Sequence, residues 1–227
     1  TYRCVIAGRG TNFTIRRAKI KGEITMKLFY APGACSHAPH ILLREAGLDF
    51  TLEKVDLGAK KTESGADYSK INPFGYVPAL QLDNGEVLTE GPAIDQYIAD
   101  QVPAKGLAPA NGTPARYKMQ SWLNFISTEL HKQFGPMFNP STPEEYKKAL
   151  IGKIQGRLDT VNEHLSKHKF LMGDNFTAPD AYLYTVLNWA KHFNISLDKW
   201  AGVKAFMERV AARPSAQASA EAEGLAA

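Results

Sequence analysis

The sequence predicts an α/β domain with the element order βαβ followed by ββα, joined to a second domain built of helices. Short runs of β-branched and aromatic residues alternate with helical patterns up to about residue 100. Beyond a segment rich in Pro and Gly, apolar residues recur at helical spacing. We therefore expect domains over 26–104 and 114–227, a linker over 105–113 and a basic extension over 1–25.

Composition excludes several classes of protein. The 227 residues are 44% hydrophobic and 22% charged, which is enough apolar mass for a core without disulfides. Two cysteines are too few for a disulfide framework, and no Cys/His cluster has zinc spacing, so we expect no metal. No stretch approaches the roughly 18 apolar residues of a membrane span. We expect a cytoplasmic protein without a membrane partner.

The net charge of +4 comes from residues 1–25, which carry six basic residues and one acidic residue. The remainder carries 21 basic and 22 acidic residues, so we expect no nucleic-acid partner. Three interpretations of the extension stay open: a real basic arm, a transit peptide, or upstream nucleotide sequence read ahead of a start at Met26. The third is favoured because codons for residues 21–23 can resemble a ribosome-binding site.

The first predicted strand begins after Met26 and ends at an Ala-Pro-Gly-Ala turn, and Cys35 follows directly before a helical pattern. That helix ends at Gly47, a natural C-cap. Backbone N–H groups and the helix dipole stabilise an anion at a helix N-terminus, so we expect a lowered pKa for the Cys35 thiol. Cys35 is therefore a candidate nucleophile, and the alternative is a small residue used for packing.

The rest of the first domain follows from turn signals. A second strand is predicted over 49–57, parallel to the first because a helix connects them. A loop over 58–70 follows, and Val77-Pro78 precedes a third strand. Asn84-Gly85 between apolar runs predicts a hairpin, and the next helix begins at Glu90-Gly91 with Pro at an early helical position.

The second domain begins with a helix predicted from about residue 116. This helix has an apolar stripe and beside it a polar stripe formed by Asn124, Thr128 and His131. The polar stripe favours a face turned to a wet cleft, because ordinary solvent faces usually carry Lys and Glu; a plain solvent face is the alternative. Further on, Thr177 and Asp180 have capping-box spacing ahead of a buried central helix, so Asp180 is predicted to be structural.

Three segments together resemble the bacterial beta class of glutathione transferases. They are MKLFYAPGACSHAPHILLREAGLDF at 26–50, NPFGYVPALQLDNG at 72–85 and LTEGPAI at 88–94. The resemblance covers residues 26–225. It implies a thioredoxin-like first domain with a cis Val77-Pro78 bond, an all-α helical bundle, glutathione as co-substrate and a homodimer.

The resemblance also implies where glutathione binds. The Val77 backbone beside Pro78 would pair with the cysteinyl unit, and Lys60 would reach the glycyl carboxylate. Glu90 and Gly91 would take the γ-glutamyl end, since a helix N-terminus offers N–H groups to a carboxylate and Glu90 can meet an ammonium.

Further residues are implied in the helical half. His131 would lie near the glutathione sulfur, either as a neutral base or as a cation beside a thiolate. Asn124 and Thr128 would add glutathione contacts that can cross the dimer interface, and Phe138 and Trp189 would line the electrophile pocket.

The predicted function is that of an enzyme, a detoxifying glutathione transferase that conjugates glutathione to small hydrophobic electrophiles, with possible dehalogenase or peroxidase side activity. Two alternatives stay open. One is a glutaredoxin-like thiol–disulfide oxidoreductase acting on glutathione mixed disulfides through Cys35. The other is a glutathione-binding protein without catalytic activity.

Overall fold

The computed structural model describes residues 26–225, so the interpretations of residues 1–25 lie outside the described residues. Within this range a mixed sheet has the strand order β3-β2-β1-β4-β5. β1 pairs parallel with β2 and antiparallel with β4, as a thioredoxin-like domain requires. The strands are β1 Met26–Tyr30, β2 Phe50–Asp56, β3 Lys61–Thr62, β4 Ala79–Gln81 and β5 Val87–Thr89.

The predicted βαβ-ββα order is confirmed, with one addition. Residues 58–70 were expected to form a loop, but they contain β3 and a 3-10 turn over Tyr68–Lys70. β3 pairs antiparallel with the end of β2 and so extends the sheet edge. Two residues give too short an alternation to register as a strand in the sequence.

The other elements are helical. The α-helices are α1 His37–Ala46, α2 Gly91–Asp100, α3 Pro114–Phe125, α4 Lys132–Phe134, α5 Glu144–Leu165, α6 Ala178–Leu187, α7 Ala201–Ala211 and α8 Pro214–Glu223. A π-helical turn over Ile126–His131 joins α3 to α4, and 3-10 turns lie over Pro103–Lys105, Gly135–Phe138 and Asn188–Phe193. None of the described helices is long and apolar enough to cross a membrane.

One hydrophobic core runs through both halves. α6 is buried along nearly its whole length and packs against α1 and α2, while α8 packs against α1. The apolar side chains of α1 that are fully buried include Ile41, Leu42 and Leu43. The start of α1, where Cys35 lies, is therefore held between the sheet and the helical half.

The start of α6 shows the predicted capping box. The Asp180 carboxylate accepts hydrogen bonds from the Thr177 backbone N–H and hydroxyl, both at 2.8 Å, and from the Leu171 N–H at 2.8 Å. Asp180 is fully buried, and burial raises its pKa to about 6. The structural role predicted for Asp180 is confirmed, because all these contacts are local and fix the helix start.

Candidate active site

Cys35 lies in the turn that enters α1, as predicted. Ser36 is the N-cap residue, and its hydroxyl bonds the backbone N–H and carbonyl of Ala31, each at 3.2 Å. The Cys35 Sγ donates to the Val77 carbonyl at 3.0 Å, across the turn that precedes β4. The Val77-Pro78 bond is cis, which confirms that prediction. Cys35 is therefore fixed against the cis-Pro turn as a hydrogen-bond donor.

The prediction of a lowered pKa for Cys35 is wrong for this structure. Burial, with further contributions from Asp95 and Glu90, raises the pKa of the Cys35 thiol to about 12. Backbone N–H groups at residues 35 and 36 do act in the expected direction, but they are outweighed. A raised pKa favours the protonated thiol at neutral pH, in agreement with the hydrogen bond that Cys35 donates to Val77.

The turn before the cis proline is braced from within the first domain. The carbonyl of Tyr76 accepts hydrogen bonds from the Tyr68 hydroxyl at 2.8 Å and from the Asn72 side-chain amide at 2.7 Å. Lys60, in left-handed backbone conformation, donates its Nζ to the Gly75 carbonyl at 3.0 Å. Lys60 is exposed beside this turn, and its predicted contact with glutathione stays a prediction.

Glu90 and Gly91 form the start of α2. Glu90 has φ 69 and ψ 115, a conformation that costs a non-glycine residue about 1–3 kcal/mol and is typical of functional sites. Its side chain is exposed, whereas Gly91 is buried against Pro78. Glu90 also acts electrostatically on Cys35. These contacts bring the helix start, the cis-Pro turn and the thiol together at one place.

The helical half contributes His131 through the π-helical turn. Asn124 and Thr128 stay exposed on the preceding turns, whereas His131 turns inward, so the three do not share one environment. The His131 Nδ1 lies 2.6 Å from the Tyr182 hydroxyl, and its ring packs on Trp189 at a centroid distance of 4.8 Å. The wider turn thus aims the imidazole at α6 and the domain boundary.

The hydrogen bond to Tyr182 fixes the orientation of the His131 ring. Burial raises the pKa of Tyr182, so its hydroxyl keeps its proton and can donate it to Nδ1. Burial, with Lys132 nearby, lowers the pKa of His131 to about 4. The ring is therefore neutral at working pH, and when Tyr182 donates to Nδ1 the ring proton lies on Nε2. The alternative of a cationic His131 is not favoured.

Trp189 and Phe138 form an aromatic wall. Their ring centroids are 5.7 Å apart in an edge arrangement, and Phe138 is 51% exposed while Trp189 is 6% exposed. The Trp189 Nε1 donates to the Gly33 carbonyl at 2.8 Å, so this residue also ties the helical half to the cysteine turn. Phe138 presents the exposed apolar surface of the pair.

The structure contains a buried polar network behind α1 that the sequence did not predict. Glu223, in α8, accepts from the Gly33 N–H at 2.9 Å and bonds the Nδ1 atoms of His37 and His40 at 2.9 and 2.8 Å. Burial opposes the charge, but these bonds lower the pKa of Glu223 to about 2. No motif or spacing in the sequence indicates a role for His37 and His40. Their partner lies over 180 residues away, so no local signal could reveal it.

Comparisons with known proteins agree on one family. Residues 33–101 and 125–214 match the glutathione S-transferase N-terminal and C-terminal domains respectively. The glutathione S-transferase GstA of Escherichia coli O157:H7 is 53% identical over 201 residues, covering 88% of this chain and 100% of that protein.

Solved structures give the same result. A sphingomonad glutathione S-transferase complexed with glutathione has a TM-score of 0.85 and 47% identity, covering 88% of this chain and 100% of that one. The bacterial beta class glutathione S-transferase of Sphingomonas chungbukensis has a TM-score of 0.86 and 45% identity, with the same coverage of both chains.

Proposed function

This chain belongs to the glutathione S-transferase family, in agreement with its predicted resemblance, and we propose that it activates glutathione as a thiolate and transfers it to small hydrophobic electrophiles. The beta-class resemblance and the prediction of a glutathione transferase are confirmed. The finer statements that follow are proposals about the site and its substrates.

The observation that carries the proposal is the pair of neutral donors at the domain boundary. Desolvation raises the pKa of the half-buried Cys35 thiol, so Cys35 keeps its proton. In the proposed arrangement the Tyr182 hydroxyl donates to Nδ1 of His131, which leaves the ring proton on Nε2. Two uncharged donors can stabilise a thiolate that arrives with the ligand. Cys35 does so by turning its S–H from the Val77 carbonyl to the ligand sulfur. The nucleophile of the reaction is then the glutathione sulfur.

The chemical step balances simply. The glutathione thiol loses its proton to solvent on binding, and the thiolate forms a carbon–sulfur bond to the electrophile. In a displacement, the bond from carbon to the leaving halide breaks and halide departs with the electron pair. In an addition, the π bond of the electrophile breaks, its electron pair moves to the neighbouring atom, and that atom takes a proton from water. Cys35 and His131 donate hydrogen bonds to the sulfur and are unchanged at the end.

Glutathione itself would lie along the cis-Pro turn and the start of α2. In the proposed pose, the backbone of Val77 beside Pro78 pairs with the cysteinyl unit, and Glu90 with Gly91 holds the γ-glutamyl end. A reoriented Lys60 reaches the glycyl carboxylate. The exposed Asn124 and Thr128 are free to contact glutathione of a second subunit, so we propose a homodimer.

The electrophile would pack on the exposed face of Phe138 with Trp189 beneath it. An aromatic wall holds apolar molecules of many shapes without a specific polar contact. This supports small hydrophobic electrophiles as substrates. We further propose a role in detoxification, with dehalogenase or peroxidase side activity, and a cytoplasmic location. The oxidoreductase alternative is not proposed, because no observation favours it: the Cys35 thiol donates to the Val77 carbonyl and its pKa is raised, whereas attack on a disulfide needs a thiolate.

The test compares two activities in wild type and Cys35→Ala. Wild type should conjugate glutathione to an aryl halide. The conjugation rate of Cys35→Ala should lie within about tenfold of the wild-type rate, because only one of two thiolate donors is lost. Cys35→Ser, which restores a donor, should recover most of that loss. Reduction of a glutathionyl disulfide should be weak in all three proteins. Conjugation abolished in both variants, or absent from wild type, would contradict the proposal.

A further inference from the structure

His192 lies at the outer edge of the aromatic wall formed by Trp189 and Phe138. Its ring contacts Phe138 at a centroid distance of 6.2 Å, and Phe193 packs on the same phenyl ring at 4.8 Å. His192 and Phe138 are both exposed, whereas Trp189 is buried. The imidazole is therefore a polar group that borders the exposed apolar surface of the wall.

The 3-10 turn that carries Trp189 explains this arrangement. Side chains three residues apart lie on the same side of a 3-10 turn, so Trp189 and His192 share one face. Trp189 ties that face to the first domain, because its Nε1 donates to the Gly33 carbonyl at 2.8 Å, and its ring packs on His131 at 4.8 Å. A continuous row of contacts thus runs from the cysteine turn through Trp189 and Phe138 to His192.

The two segments that form the aromatic wall are basic. Residues 131–143 include Phe138, and residues 187–197 include Trp189 and His192. Their only formally charged residues are one lysine each, Lys132 and Lys191, and both of these lysines are exposed. Neither segment contains a carboxylate. A group bound at the edge of the wall therefore lies between two segments whose formal charge is positive.

Three acids that flank these segments along the chain are each paired with a basic residue. The pairs are Glu129 with Arg157, Glu144 with Lys147 and Asp198 with Lys204, each at 2.7 Å. Paired and solvent-screened charges contribute little field at a distance. These acids therefore do not cancel the positive charge of the wall.

We propose that His192 determines specificity by binding an anionic group of the electrophile. The preferred electrophiles are then aromatic compounds that carry a carboxylate away from the carbon that reacts. The aromatic ring packs on Phe138, the carboxylate reaches His192, and Lys191 adds to the attraction. An imidazole donates an N–H to an anion in both its neutral and its protonated form. The inference rests on the proposed function, which places the electrophile on Phe138.

The first experiment measures binding without a reaction. The probes are para-methylbenzoate and para-methylbenzamide, which have the same ring and methyl group but differ in charge. Equilibrium dialysis gives both Kd values in excess S-methylglutathione, which has no free thiol and keeps the probes out of the glutathione site. Wild type should bind the benzoate about fivefold more tightly than the amide, a modest effect because the hydrogen bond is exposed to solvent. His192→Ala should weaken benzoate binding alone and so remove the preference.

Two further variants separate the imidazole from a general effect of charge. His192→Gln keeps an N–H donor and should retain part of the preference. Lys199→Ala removes a positive charge from the same loop, but the Lys199 ammonium lies over the Trp200 ring at 4.1 Å, so this variant should keep the wild-type Kd ratio. No preference in wild type, or a wild-type ratio in folded His192→Ala, would overturn the inference.

The second experiment measures conjugation of para-(chloromethyl)benzoate and para-(chloromethyl)benzamide. The glutathione thiolate forms a carbon–sulfur bond at the benzylic carbon, chloride leaves with its electron pair, and the carboxylate is unchanged. His192→Ala should raise KM for the benzoate about fivefold with little change in kcat, because uniform binding is lost. An unchanged KM would overturn the inference. Conjugation of neither compound by wild type would contradict the proposed function, and the Kd ratio would then decide the inference by itself.

Discussion

Replacement of His131 by alanine should lower kcat/KM for conjugation by about 100-fold, the usual effect of removing one donor to a developing or bound anion. The structure gives the reason, since a neutral imidazole that accepts from Tyr182 at Nδ1 offers its Nε2 proton as a donor. The loss should come with a higher thiol pKa of bound glutathione. Steady-state kinetics across pH measure both effects.

Tyr182→Phe is the matched variant for this prediction. It keeps the imidazole but removes the hydroxyl that bonds Nδ1 at 2.6 Å, so the ring proton is no longer confined to Nε2. We expect a smaller loss, about tenfold, with little change in the packing of α6. Activity of His131→Ala within about threefold of wild type, in a folded protein, would contradict the role assigned to the histidine.

Replacement of Glu223 by alanine should lower the free energy of unfolding by about 3–5 kcal/mol, the range for breaking a buried charged network. The change strands two buried imidazoles and the Gly33 N–H in the turn that leads to Cys35. The helical half would also lose a tie to the glutathione-binding half. Urea denaturation followed by circular dichroism measures the effect.

Glu223→Gln keeps an acceptor oxygen and should recover part of that stability. The pH dependence gives an independent check with a definite sign. Because the folded state depresses the pKa of Glu223 to about 2, its contribution is complete above the ordinary carboxyl pKa and is lost as pH falls toward 2. A Glu223→Ala protein as stable as wild type at pH 7 would show that the network does not hold the turn.

Local rules explain which parts of the fold were predictable. The hairpin at Asn84-Gly85 and the helix beginning at Gly91 each follow from a few adjacent residues. The capping box at Thr177 and Asp180 is equally local. The cis bond before Pro78 came from the family resemblance, because a trans bond is the default from sequence alone.

The predictions that were wrong or incomplete concern the burial of single side chains and contacts between residues far apart in the sequence. Position at a helix start indicated a lowered pKa for Cys35, but desolvation of the half-buried thiol outweighs the effect of the helix end. The π-helical turn before His131 could not be read from an α-helical period, so Asn124 and Thr128 were placed on one face with it. The spacing of residues in the sequence shows neither how far one polar side chain is desolvated nor where a helix changes from α to π geometry.

The ionisation state of the two sulfurs tests the account most directly. Thiolate absorbance in the ultraviolet is measured at neutral pH for a Cys4→Ser protein, alone and with saturating glutathione. We expect no thiolate signal from the free protein, because Cys35 stays protonated, and a signal approaching one thiolate per bound glutathione in the complex. A full thiolate signal in the free protein that does not grow when glutathione binds would contradict the account.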